Sequence, residues 1–145
     1  MNPEFEKCLK HGKIKEFSEG KNLVKKELQT AEVDLKDGKE GFDRKKYKWA
    51  TIQSYYSMFH SARALLYAKN YREKSHYCLI VALTHLYVNT KELPACFVEA
   101  LQKGKNLRED ADYYNEWSEI GAKQMLDSAE KFLNKVKEII AKPQT

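Results

Sequence analysis

From Ser18 to Ala141, almost every stretch long enough to read repeats its apolar residues every three to four positions. That is the period of a helix with one buried stripe. The 145 residues include only six Gly and three Pro, too few to punctuate the many turns of a β-sandwich or barrel. The pattern predicts an all-α fold, an up-and-down bundle of four to five helices. A short helix is expected from Pro3 to about His11, with Pro3 in its first turn. A long one follows from Ser18 to Lys39, with Leu23, Leu28, Ala31 and Leu35 as its stripe and Gly38 and Gly41 as its stop. The next spans Arg44 to Lys69. The segment Asn70 to Lys74 reads as a loop leading to Ser75, an N-cap for a helix to Val88. Pro94 opens a helix ending near Gly104, and a polar loop rich in acids and aromatics then reaches Ser118. The last helix runs to Ala141, before Pro143, with Met125, Ala129, Phe132, Val136 and Ile140 facing inward. No repeat, low-complexity tract or linker interrupts the chain, so residues 1–145 read as one domain with a core of about 18–141.

Two helices depart from simple amphipathicity. Between Thr51 and Ala68, Ile52, Tyr56, Phe59 and Leu66 share an arc with Arg63 in its middle, while Ser54, Ser57, Ser61, Ala64 and Ala68 form an opposite face of small residues. Such a face allows close approach of another helix, from the same chain or from a second copy. The run Cys78 to Val88 is apolar nearly all round, so it is either central or partly covered by another subunit. Together the two predict a homodimer.

The net charge is +5, from 26 basic and 21 acidic residues, and the dense basic cluster is Arg44 to Lys48. That balance lacks the stripe of a dedicated duplex-DNA binder, and it permits an RNA, nucleotide or acidic-protein partner. The apolar run Cys78–Leu83 is far short of the ~20 residues that span a bilayer. No apolar signal segment opens the chain, so it reads as cytoplasmic, without membrane association. Cys8, Cys78 and Cys96 are odd in number and widely spaced, which argues against a disulfide framework. Cys78 and Cys96 read as small buried apolar residues.

Arg63, within an apolar arc, requires a partner, and the acids Glu109, Asp110, Asp112 and Glu116 are the expected ones. The four histidines (His11, His60, His76, His85) have no metal-ligand spacing, so neither a metal nor a cofactor is expected. No nucleophile elbow or phosphate loop occurs. Tyr55-Tyr56, Tyr113-Tyr114 and Trp117 can stack on bases or serve as core and rim aromatics.

The run Ser54-Tyr55-Tyr56-Ser57-Met58-Phe59-His60-Ser61-Ala62-Arg63-Ala64-Leu65-Leu66 resembles the signature helix of small prokaryotic HEPN domains. Tyr71-Arg72-Glu73-Lys74-Ser75-His76 and Arg108-Glu109-Asp110-Ala111-Asp112-Tyr113 extend that resemblance in the right order over Ser18 to Ile140. It implies a homodimeric helical bundle, often encoded beside a minimal nucleotidyltransferase in a toxin–antitoxin-like pair. Many members are metal-independent ribonucleases with four to six residues between an Arg and a His. This chain departs from that pattern: Arg72 to His76 is too short by one, and Arg108 is followed by Asp112 and Tyr113 rather than by a histidine. The expectation is therefore a protein that binds a nucleotide, RNA or a nucleotidyltransferase partner, without the usual ribonuclease activity. Arg63, Arg72, His76, Arg108, Asp112 and Tyr113 are its candidate ligand-binding residues, in a groove between subunits. If catalysis occurs, Arg72 and His76, or Arg63 and His60, are its candidates; a purely structural interaction module is the third reading.

Overall fold

The computed structural model describes residues 2–142. It is all-α apart from one small ribbon: α1 (Pro3–Lys10), β1 (Ile14–Glu16), α2 (Gly20–Asp43), α3 (Tyr47–Ala68), β2 (Tyr71–Glu73), α4 (His76–Leu83, prolonged by a π-helical turn Thr84–Val88), α5 (Ala95–Tyr113) and α6 (Glu119–Ala141). Pro143, the expected stop signal, lies outside the described residues.

α3 is the axis of the bundle, packed on α2, α5, α6 and α4. Its small face explains why. Ser54, Ser57 and Ser61 are fully buried, with the Ser57 hydroxyl donating to the Ala31 carbonyl of α2 at 2.8 Å. A Cβ at Gly38 would lie 3.1 Å from Ser54 Oγ and 3.6 Å from the Ala50 carbonyl, so glycine sets how closely α2 and α3 approach. The small face is thus spent inside one chain, and charge at Ser57 or Ser61 would disrupt the fold rather than split a dimer. α4 is also largely internal: Leu79, Ala82 and Leu83 are fully buried, each Leu contributing about 1.5–3 kcal/mol by burial.

The glycines do not end helices. α2 runs through Gly38 and Gly41, and α5 through Gly104, whose missing side chain makes room for the Met58 and Met125 methyls. None of these three has a positive φ. The expected polar loop after Gly104 is consequently helical to Tyr113, and only a short turn through Asn115 (φ 52°) precedes the Ser118 cap.

Two further expectations are corrected. Asn70 to Lys74 is mostly strand: β2 pairs antiparallel with β1 in the register Ile14 opposite Glu73 and Lys15 opposite Arg72. Cys8 and Cys78 form a disulfide joining α1 to α4, while Cys96 is exposed. Phe5 and Cys8 lie one turn apart on the buried side of α1, and that spacing brings Cys8 against α4.

Candidate functional site

Tyr55 on α3, His76 at the start of α4 and Arg108 on α5 meet where the three helices pack. Ser75 caps α4 by accepting from the Cys78 N–H at 3.1 Å, which fixes the first turn and His76 with it. The Tyr55 hydroxyl lies 3.1 Å from His76 Nδ1. Burial pushes the Tyr55 phenol up to about 12 against the pull of Arg108, so it keeps its proton at pH 7; a protonated phenol both donates and accepts, and the His76 tautomer sets which it does at Nδ1. In the tautomer in which Tyr55 donates to Nδ1, the imidazole carries its own proton on Nε2. Burial, then the Lys105 and Arg108 cations, push His76 down to about 4 against the opposing pull of Glu109. The ring is neutral at pH 7.

Arg108 is surrounded by tyrosines. Its guanidinium carbon lies 5.3 Å from the Tyr55 ring centre, 5.9 Å from Tyr56 and 5.6 Å from Tyr113, all within cation–π reach. Nη1 donates to the Tyr113 hydroxyl at 3.3 Å and is 3.7 Å from Asp112. Nε has no partner, and neither does His76 Nε2; with Ser54 Oγ these are the buried side-chain polar atoms without a hydrogen bond among the described residues. Two unpaired polar nitrogens in one cluster, at about 1–3 kcal/mol each, are a cost that packing alone does not require. Both are suited to an oxygen of a phosphate or carboxylate.

Of the candidates read from sequence, the structure gathers His76, Arg108, Asp112 and Tyr113. It separates the other two. Arg63 is paired with Glu73 of β2 by two hydrogen bonds of 3.0 and 2.9 Å, and it lies 4.5 Å over the Phe59 ring. The expected partners Glu109, Asp110, Asp112 and Glu116 are therefore wrong, because the strand brings an acid to α3 ten residues after the arginine. Arg72 lies on the outer face of the ribbon over Phe17 at 5.5 Å, and it is not among the charges acting on His76. His60 is bound by Glu27 at 2.8 Å and lies 3.8 Å from Asp34. Tyr55 and Lys105 are members of the cluster that spacing did not single out as such; the adjacent pair Tyr55-Tyr56 and the Lys105 to Glu109 i,i+4 spacing are the signals for them. Among the described residues no three His, Cys, Asp or Glu side chains gather as a metal site, and no helix is long and apolar enough to cross a membrane.

A test of the buried imidazole is pH. His76 prefers the neutral form when folded and takes up a proton more readily when unfolded. Its contribution to stability is thus present above about pH 6.5 and lost as pH falls towards about 4. The urea midpoint should drop between pH 7 and pH 5, and His76→Gln, which keeps an acceptor for Tyr55, should flatten that drop. An equal drop in both proteins would remove the case for a buried neutral His76.

The fold and this cluster define a class: an all-helical domain with a tyrosine, histidine and arginine site where its central helix meets α4 and α5. The chain belongs to the HEPN family, whose HEPN domain profile matches residues 24–141. A Methanocaldococcus jannaschii protein named "Putative toxin MJ0605" is 32% identical over 114 residues, covering 78% of this chain and 85% of the relative. A second from that organism, "Putative toxin MJ0142", is 29% identical over 122 residues, 83% of each chain. A "UPF0332 protein" of Archaeoglobus fulgidus is 29% identical over 121 residues, 79% of this chain and 93% of the relative.

Proposed function

We propose that this chain is a toxin-like, cytoplasmic HEPN protein that binds a nucleotide or RNA phosphate at the Arg108, His76 and Tyr55 cluster. In this reading it works as a homodimer and is held in check by a minimal nucleotidyltransferase partner. The observation that carries the binding site is the pair of buried, unpartnered nitrogens, Arg108 Nε and His76 Nε2, beside exposed Tyr113 and Tyr56. A phosphate group can accept from Arg108 Nε, and from His76 Nε2 in the tautomer that carries a proton there, and a base has an aromatic face on which to stack. The names of the Methanocaldococcus relatives support the toxin-like role. Exposed Tyr56, Tyr113 and Tyr114 are surface suited to a second copy, now that the small face of α3 is accounted for within the chain.

Calorimetric titration with ATP, and with a single-stranded oligoribonucleotide, tests the site. Arg108→Gln should weaken binding at least about tenfold, the value of one lost charge-assisted contact, with the circular dichroism of the fold unchanged. Equal affinity in wild type and variant would dismiss the site, and a monomer by light scattering would dismiss the dimer.

A further inference from the structure

The β1/β2 ribbon has two unlike faces. Ile14 and Glu73, opposite each other, are buried. On the solvent face Lys15 stands opposite Arg72. One step further along the register, Lys13 stands opposite Lys74, whose N–H donates to the Lys13 carbonyl at 2.8 Å. Four exposed cations thus form two directly opposed like-charge pairs. Directly opposed like charges destabilise a strand pair, and none of the four makes an ion pair among the described residues. Elsewhere, apart from the Arg44 to Lys48 cluster, the chain mixes its signs closely, with 26 basic and 21 acidic residues. Lys74 is held below the usual lysine range by Lys15 first, and also by Arg72 and Lys13, with no acid opposing them. Beside the ribbon, a hollow of about 310 Å³ is lined by Lys13, Lys7, His11 and Tyr77, with Glu4 its one acid.

We infer that the solvent face of this ribbon, Lys13, Lys15, Arg72 and Lys74, is a docking surface for the phosphate backbone of single-stranded RNA. The inference deepens the reading of the chain as an RNA-binding protein and rests on it, while assigning the backbone contacts to a surface separate from the Arg108 cluster. Alternate residues on one strand are about 6.7 Å apart, which is of the order of the spacing between adjacent phosphates in a stretched strand. Two cations on each strand thus meet consecutive phosphates. A bound polyanion turns the repulsion across the ribbon into attraction. Tyr77, 61% exposed beside Lys13, offers a ring on which a base can stack. That feature favours a nucleic acid over an acidic peptide, and the lack of exposed aliphatic residues among the four cations disfavours a membrane surface.

The experiment is fluorescence anisotropy of labelled oligo-uridylate against the full chain, between about 50 and 200 mM salt. Neutralising all four cations (Lys13→Gln, Lys15→Gln, Arg72→Gln, Lys74→Gln) should reduce the log–log salt slope by about 3, at ~0.7 per phosphate contact. The double variant Lys15→Gln, Lys74→Gln should remove about half of that, and because both changes relieve repulsion its melting temperature should equal or exceed wild type. An unchanged slope in the folded double variant overturns the proposal. Wild-type binding to poly-glutamate or to phosphatidylserine vesicles as tight as to RNA, and equally reduced by the double variant, overturns it in favour of those partners. Arg108→Gln separates the two readings. If it abolishes RNA binding while the ribbon variants bind normally, the ribbon fails and the Arg108 site stands. The converse leaves the ribbon as the RNA surface and dismisses the Arg108 site.

Discussion

Glu73→Ala should destabilise the protein by about 3 kcal/mol, the lower end of the cost of breaking a buried ion pair by removing one partner. The Glu73 side chain is 5% exposed and that of Arg63 27% exposed, so the pair is largely but not wholly withdrawn from water. Burial works against the Arg63 charge, and the two Glu73 hydrogen bonds more than offset it, leaving the guanidinium firmly protonated. Without Glu73 the guanidinium keeps the Phe59 face at 4.5 Å but loses its only ion-pair partner among the described residues. For a domain of this size ~3 kcal/mol corresponds to roughly 10 °C in melting temperature. Arg63→Met should cost less than Arg63→Ala, because the Met stem preserves packing along α3. The double change Arg63→Met, Glu73→Leu should recover most of the loss, since it abolishes both buried charges together. A shift of under ~1 kcal/mol for Glu73→Ala, measured by urea denaturation, would show the pair to be as weak as a surface one.

The same pair shows where sequence reading reaches its limit. That Arg63 needs an acid follows from its place on an apolar arc, one turn from Phe59. Which acid follows from β2, and β2 exists only because residues 71–73 meet residues 14–16 across more than fifty positions of chain. The signal was present only in weak form: Lys13-Ile14-Lys15 alternates, whereas Arg72-Glu73-Lys74 is charged throughout, and three-residue strands give periodicity too little length to register. The glycines misled for a related reason. Gly38 and Gly104 look like stops when composition is read alone, yet each is an interior position where a neighbouring element comes too close for a side chain. The Cys8 to Cys78 bridge, closing a separation of 70 residues, is likewise a product of packing rather than of spacing. Helices α2, α3 and α6 were legible because their period repeats over six turns, whereas the second half of α5, rich in acids and aromatics, reads as a loop. The cluster at Arg108 was legible only in part: Arg108, Asp112 and Tyr113 lie within six residues on one helix, whereas His76 and Tyr55 reach it through tertiary packing.

The purified protein should show no robust metal-independent ribonuclease activity. One observation favours the opposite reading: Arg108 and His76, which are 32 positions apart in sequence, act on the same site, as an arginine and an imidazole in a variant catalytic arrangement would. The state of that imidazole decides against it. With His76 pushed down to about 4, only about one molecule in a thousand carries the extra proton at pH 7, too few for an effective general acid. Nδ1 is engaged by the Tyr55 hydroxyl at 3.1 Å, so it is not free to take the proton of an attacking hydroxyl. Asp112 lies against Arg108 at 3.7 Å and answers the charge that would otherwise stabilise a pentacoordinate phosphate. Arg72, the other candidate, is on the ribbon and not beside His76. General acid–base catalysis contributes ~10²–10⁴-fold, so cleavage should stay lower by that factor than with a competent imidazole. A labelled-RNA assay in EDTA, run on wild type, His76→Ala and Arg108→Gln between pH 7 and 8, should give flat, background rates for all three. Cleavage by wild type that both substitutions abolish would make the chain an enzyme and Arg108 with His76 its catalytic pair. Background rates, together with co-purification of a nucleotidyltransferase, would place the biological effect in binding and partnership, with the Arg108 cluster occupied rather than turning over.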